Sequence, residues 1–149
     1  MFNLKTTLAT AVIAVAAASS FASPAIAGQC PTPGMSDLAN APTMPKGVTD
    51  DVIGSIDLKS EIGVDGRLLR TRRLVVQPGG IVPLHSHKDR PALIYTLSGS
   101  ITEYSSACGA PIEHKAGDIS READGLRHYW VNHGKVPAVL LSSDVFHAQ

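Results

Sequence analysis

The stretch GGIVPLHSHKDRPALIYTLSG, residues 79–99, decides the fold. His85 and His87 stand two apart in a run of strand character. Side chains alternate across a strand, so both imidazoles point to one side. Two imidazoles on one face can hold a single divalent metal. Such a pair is a weak signal by itself, because histidines two apart also arise by chance on surfaces. The glycines around it carry more. Gly79 opens the stretch and Gly99 closes it, where a turn between strands favours a residue that tolerates positive φ.

A second stretch, GDISREADGLRHYWVN at residues 117–132, places Gly117, Gly125, His128 and Asn132 in a comparable frame. Together the two stretches resemble the paired signature motifs of the cupin superfamily, G-x5-H-x-H-x3,4-E-x6-G and G-x5-P-x-G-x2-H-x3-N. Eight of the ten fixed positions agree, in order; Ala92 stands where the family has Glu, and Ala123 where it has Pro.

The resemblance implies an all-β, single-domain jelly-roll barrel (a double-stranded β-helix) with a metal inside. It also implies that His85, His87 and His128 are the ligands, while Asn132 orders a turn. Ala92 cannot ligate, so the expected site is a three-histidine variant. Some cupins with that ligand set are non-haem iron dioxygenases of thiols or diketones, which favours Fe²⁺; Zn²⁺, Mn²⁺, Ni²⁺ and Cu²⁺ also suit imidazole donors. Solvent is expected in the vacant carboxylate position, ahead of Asp89 in the following turn or Glu103 on the next strand. A cupin whose site is empty is the competing reading.

Ile94 and Thr96 share the alternation phase of Ala92, and Trp130 that of His128. These four residues are the pocket candidates, although Ile94 and Trp130 equally suit a barrel core. Leu93, Tyr95 and Leu97 belong to the opposite face. Arg70, Arg72 and Arg73 are expected on a solvated face, though an inward arginine would suit a carboxylate. His114, His133 and His147 fall outside the motifs and are expected at the surface. No catalytic residue is assigned.

The rest of the chain supports one small domain. It has 149 residues, with 13 Lys and Arg against 13 Asp and Glu. It lacks a basic tract, which argues against nucleic acid as a partner. Residues 1–27 read as a secretory signal: Lys5, an apolar run from Leu8 to Ala18, then Ala25-Ile26-Ala27 as a cleavage site. No later stretch is long and apolar enough to span a membrane. The expected protein is exported, periplasmic or secreted. Residues 28–48 form an irregular arm and 49–149 the barrel.

The only cysteines, Cys30 and Cys108, both follow the cleavage site. In an oxidising compartment they suit a disulfide. Two inert thiols, or Cys108 acting near the metal, are the alternatives.

Strands are expected over 52–58, 67–77, 81–87, 93–97, 100–104, 118–121, 126–132 and 138–144. Three functions follow from the resemblance: an exported metal-dependent oxygenase of a small molecule, a non-catalytic module that binds a metal or small ligand, and a structural cupin. A homodimer paired through edge strands is expected by family analogy.

Overall fold

A computed structural model describes residues 28–148. The proposed signal, residues 1–27, lies outside the described residues. Nine elements follow in order: β1 Lys46–Asp57, α1 Leu58–Ile62, β2 Arg67–Ser86, β3 Ala92–Ser98, β4 Ser100–Ser105, β5 Ile112–Lys115, β6 Ile119–Glu122, β7 Arg127–Val131 and β8 Ala138–His147. Among the described residues, no helix is long and apolar enough to cross a membrane.

All the strand pairings are antiparallel. The order is β5-β4-β7-β2-β8-β3-β6, with β1 added against β2. Its two ends, β5 and β6, are consecutive in the chain and join across Ala116–Asp118. The sheet therefore curls back on itself into a nearly closed jelly-roll barrel, which removes most of its edge.

Alternation fills the interior. On β3, Ala92, Ile94 and Thr96 are buried, while Leu93, Tyr95 and Leu97 face outward and are exposed. Leu74, Val76, Ala92, Ile94, Ile101, Trp130, Ala138 and Leu140 make one apolar cluster. Each side chain of this size contributes about 1.5–3 kcal/mol when fully buried, with Ala contributing less. The same interior holds many polar groups, among them His87, Glu103, His114, Glu122, His128 and Asp144. Polar burial on this scale is costly unless partners are supplied, so each of these residues needs a partner inside the barrel.

Two expected strands, 67–77 and 81–87, are one strand that bends at Gly79-Gly80. Its first half pairs with β1 and β8, and its second half pairs with β7. Gly80 is required at the bend. A Cβ there would lie 2.7 Å from the Gln77 carbonyl oxygen and 2.9 Å from that of Gly47. The four motif glycines, Gly79, Gly99, Gly117 and Gly125, all have positive φ, which is the conformation their spacing suggested.

Two elements have no counterpart among the expected ones. β5 lies outside the expected strands, because its four residues are too few to show alternation. The five-residue α1 is likewise too short for a helical period. Its ends are nevertheless encoded: the Asp57 carboxylate accepts from the Lys59 amide, and Gly63 closes the helix at φ 73°. β1 starts at Lys46, earlier than the strand expected from Val52, because pairing to β2 continues back to Ile81.

The arm is tied to the barrel. Cys30 and Cys108 are disulfide-bonded, 78 residues apart. The Ser36 and Gly109 amides donate to the carbonyls of Ser105 and Thr32, at 3.0 and 2.9 Å. Closing so long a loop restricts the unfolded chain, so Cys108→Ser is expected to lower stability by about 4 kcal/mol. Urea unfolding of the oxidised wild type and the variant checks this; equal midpoints would show that the bridge contributes nothing.

Candidate metal centre

The second half of β2 and the facing β7 place His85 directly opposite His128. His87 follows as β2 ends, with the same orientation as His85. The three rings meet with centroids 4.6–4.9 Å apart. The Nε2 atoms of His87 and His128 lie 3.0 and 3.2 Å from that of His85.

A fourth donor completes the group. Glu122 Oε2 lies 2.9 Å from His87 Nε2 and 3.5 Å from His128 Nε2. This corrects the three-histidine expectation. The position assigned to solvent is occupied by a carboxylate, and neither Asp89 nor Glu103 supplies it. β6 pairs with β3 so that Glu122 sits directly across from Ala92. Both residues point inward, and the acid that the family motif places at position 92 comes instead from the neighbouring strand. Asp89 is exposed and pairs with Arg67 and His147.

Each ring is held from behind. The Nδ1–H of His85 donates to the Pro83 carbonyl at 2.9 Å, and that of His87 to the Arg90 carbonyl at 2.7 Å. The Nδ1–H of His128 donates to Glu103 Oε1 at 2.8 Å. The first two bonds fix the tautomers of His85 and His87, whose carbonyl partners can only accept; at His128 the Trp130 Nε1–H also lies 3.0 Å from Nδ1, beside the Glu103 carboxylate, and all three Nε2 atoms face one point. Burial, reinforced by the neighbouring His128, lowers His85 to about 3, and burial also lowers His87. Both rings are therefore neutral at pH 7.

The Nε2 lone pairs of the neutral His85 and His87 rings, 3.0 Å apart, repel one another. Glu122 Oε1 is buried and has no hydrogen-bond partner. Burial raises the Glu122 carboxyl to about 7. A cation answers all of these unmet demands. At about 2.1 Å from each donor, neighbouring ligand atoms would be about 3.0 Å apart at right angles and about 3.4 Å apart at tetrahedral angles. Four of the six edges of the group, 2.9–3.5 Å long, span that range. The donor set of His85, His87, Glu122 and His128 could therefore hold one metal ion, all four donor atoms lying within 4.8 Å of one another.

Glu103 supports this group and does not belong to it. Its second oxygen accepts from His114 Nε2 at 2.9 Å. Burial pushes Glu103 up, but the hydrogen bonds from His114 and His128 outweigh it and hold the carboxyl at about 2. His114 is thus buried, contrary to the surface expectation, and its ring stacks on Trp130 at 4.5 Å. His133 and His147 are exposed, as expected. Asn132 orders its turn: its side-chain amide donates to the carbonyls of Val76 and Val136 and its oxygen accepts from Gly134.

Beside the group lies a cavity of about 190 Å³. Of the four pocket candidates, Ile94 and Trp130 line it; Ala92 and Thr96 face inward but do not. Leu74, Val82 and Leu140 complete its apolar wall, and Arg72 and Arg90 reach it as well.

Arg70 and Arg72 correct a second expectation. They are not a solvated face; only Arg73 of the three is exposed. Arg70 grips the buried Asp144 with two bonds, of 3.0 and 2.9 Å. Burial raises the Asp144 carboxyl, but the Arg70 hydrogen bond and the nearby guanidiniums outweigh it, so the net shift is downward. A carboxyl lowered in the folded state stabilises the fold above its unfolded pKa of about 3.9, and that contribution is lost as pH falls through the folded value. Asp144→Asn is expected to cost about 3 kcal/mol at pH 7, with a smaller gap below about pH 4. Denaturant unfolding at pH 7 and pH 3 checks this, and a gap independent of pH would contradict it.

Residues 72–144 match the family described as a cupin domain. The barrel topology and the histidine frame agree with that match. This is a cupin domain.

Germin-like protein 1 of Brassica napus is 35% identical over 81 residues, 52% of this chain and 39% of that protein. Auxin-binding protein ABP19b of Prunus persica is 33% identical over 84 residues, 54% of this chain and 40% of its own length. The alignments thus span well under half of these relatives. A predicted oxalate decarboxylase from Thermotoga maritima superposes with a TM-score of 0.55 at 19% identity, covering 75% of this chain and 98% of that one. That likeness shows the cupin fold alone.

Sequence reasoning missed Glu122 for a definable reason. The strand expected over 118–121 stopped one residue short of it. In β6, Ser120 and Glu122 are buried while Ile119 and Arg121 are exposed. Alternation from the buried Ser120 would have turned Glu122 inward. A buried acid on a cupin strand needs a partner, and that need was the available signal.

Proposed function

We propose that this chain is an exported cupin whose barrel holds one divalent transition metal on His85, His87, Glu122 and His128, and that it acts as a metal-dependent oxidoreductase on a small molecule. The observation that carries the proposal is the convergence of three imidazole Nε2 atoms on a buried carboxylate that has an oxygen without a partner. A carboxylate in the donor set moves the preference toward harder ions such as Fe²⁺ and Mn²⁺, away from an all-nitrogen site. The analogy to three-histidine thiol and diketone dioxygenases loses its basis accordingly. When bound, the ion would supply Lewis acidity and one-electron redox chemistry.

The protein's own contribution is positional. Pro83, Arg90 and Glu103 fix the rings, and Glu122 brings the negative charge that offsets part of the ion's. Leu74, Val82, Ile94, Trp130 and Leu140 give the adjoining cavity a dry wall. Against such a wall, electrostatic interactions with a bound ligand are strengthened. Export is supported by the leader-like composition of residues 1–27 and by the Cys30–Cys108 bond, which suits an oxidising compartment.

The test is oxygen consumption by protein reconstituted anaerobically with Fe²⁺ or Mn²⁺, across a panel of small carboxylic acids, thiols and diketones. At least one compound is expected to drive uptake that disappears in His87→Ala. Metal-loaded protein that binds panel compounds without consuming oxygen would overturn the oxidoreductase reading and leave a binding module.

A further inference from the structure

Arg72 and Arg90 stand beside the metal-ligand group with more positive charge than their partners neutralise. Arg72 Nη2 lies 3.6 Å and Arg90 Nη1 3.0 Å from the same oxygen, Asp144 Oδ2. Asp144 already has a two-bond partner in Arg70, whose guanidinium also covers the Phe146 ring at 3.8 Å. One carboxylate therefore faces three guanidiniums. Among the described residues, Asp50 pairs with Arg72 at the cavity rim, and Glu122, a member of the proposed ligand group, lines the same cavity without bonding either guanidinium.

Bonding within the protein leaves donors over. Arg72 Nη2 donates to Ser142 Oγ at 3.2 Å, but Arg72 Nε is buried and has no partner. A buried donor without an acceptor costs about 1–3 kcal/mol, more when it is charged. Asp144 alone does not explain keeping Arg72 and Arg90, because Arg70 satisfies it bidentately. An incoming anion would supply the missing acceptor. Arg90 sits in the turn between His87 and β3, and its backbone carbonyl fixes the His87 ring, so the cationic side chain and the proposed ligand group share one support.

Apart from Asp50, Ser142 and the side chains of the proposed ligand group, the rest of the wall is apolar: Leu74, Val82, Pro83, Ile94, Trp130 and Leu140. A cavity lined by both guanidiniums and hydrocarbon selects charge and body separately. Guanidiniums match the two oxygens of a carboxylate, and each buried methylene adds to affinity.

We infer that Arg72 and Arg90 form an anion subsite beside the proposed metal centre, and that its ligand is a small organic carboxylate with a short apolar body. The inference deepens the proposed function and rests on it for the role of the neighbouring ion, although the subsite itself is built only of protein groups.

The experiment is calorimetric titration of acetate, butanoate, hexanoate and the neutral control hexanamide into metal-loaded protein and into protein stripped by chelator. Metal content is measured on both. Affinity is expected to rise from acetate to hexanoate, by roughly fourfold per methylene that enters the wall. Hexanoate is expected to bind at least about tenfold more tightly than hexanamide. Arg90→Gln and Arg72→Gln are each expected to remove that preference, whereas Arg73→Gln, on the exposed face, keeps it. Arg90 is in a turn, so its variant tests the inference even if Arg72→Gln fails to fold.

Equal binding of hexanoate and hexanamide, or an Arg90→Gln protein that binds hexanoate like wild type, would overturn the subsite. Protein that takes up no metal yet still selects hexanoate through Arg90 would retain the subsite and remove the metal centre. Protein that loads metal without acid selectivity would do the reverse.

Discussion

Moving the carboxylate back across the strand pair is expected to restore metal binding that its removal weakens. Glu122→Ala is expected to weaken metal binding by at least about 100-fold, since it deletes a ligand and not merely a supporting contact. The double variant Ala92→Glu/Glu122→Ala is expected to recover most of that loss. Residues 92 and 122 are direct Cα partners in an antiparallel pair, and both face the barrel interior. Side chains at such a pair start about 5 Å apart, a gap that a glutamate side chain can bridge. Asp144 also pairs with position 92, but Arg70 holds its charge, so a new acid would not meet a bare carboxylate. Chelator-competition titration gives the affinities. A double variant as weak as Glu122→Ala would show that position 92 does not address the same point, and the cross-strand exchange would fall.

The second large effect concerns Glu103, which bonds two buried histidines at once. Glu103→Ala leaves the His114 and His128 donors buried without an acceptor. The expected cost is about 3–5 kcal/mol of stability, as for other broken buried pairs. Metal affinity is expected to fall about 10- to 100-fold, because His128 loses the bond that orients it. Glu103→Gln is the milder control. Its single side-chain oxygen can serve one imidazole, and the other must change tautomer, so an intermediate loss is expected. Urea unfolding of chelator-stripped protein isolates the stability effect, and competition titration gives the affinity effect. A loss below about 1 kcal/mol would mean that water replaces the carboxylate, and that Glu103 does not position the ring.

Much of this was legible in the sequence, because the barrel is built from rules of short range. The alternation that turns His85 and His87 to one side, and Ile94 and Thr96 with Ala92, follows from strand geometry alone. The motif glycines mark turns by a conformational need that other residues meet poorly. The histidine of the second motif arrives opposite His85 because β7 pairs with β2, which only the family resemblance could suggest. What stayed hidden depends on which strands lie side by side. Glu122 reaches the ligand group through the β3–β6 register, and nothing within either strand states that register. The same holds for Asp144 with Arg70, Arg72 and Arg90, which come from three separate parts of the chain. His114 was misplaced because β5 is too short to reveal its inward face, and because its partner Glu103 lies on a different strand.

These hidden residues share a property. Each is a polar or charged group in the barrel interior, where burial without a partner is costly. Their partners therefore had to be supplied from across the sheet, and a strand-by-strand reading does not see them.

The most direct measurement is the metal content of protein purified under native conditions, followed by titration of chelator-stripped protein. About one equivalent of a divalent transition metal per chain is expected, bound through His85, His87, Glu122 and His128 and lost in Glu122→Ala. Less than about 0.1 equivalent after purification, with no saturable uptake on titration, would contradict a metal centre in this barrel.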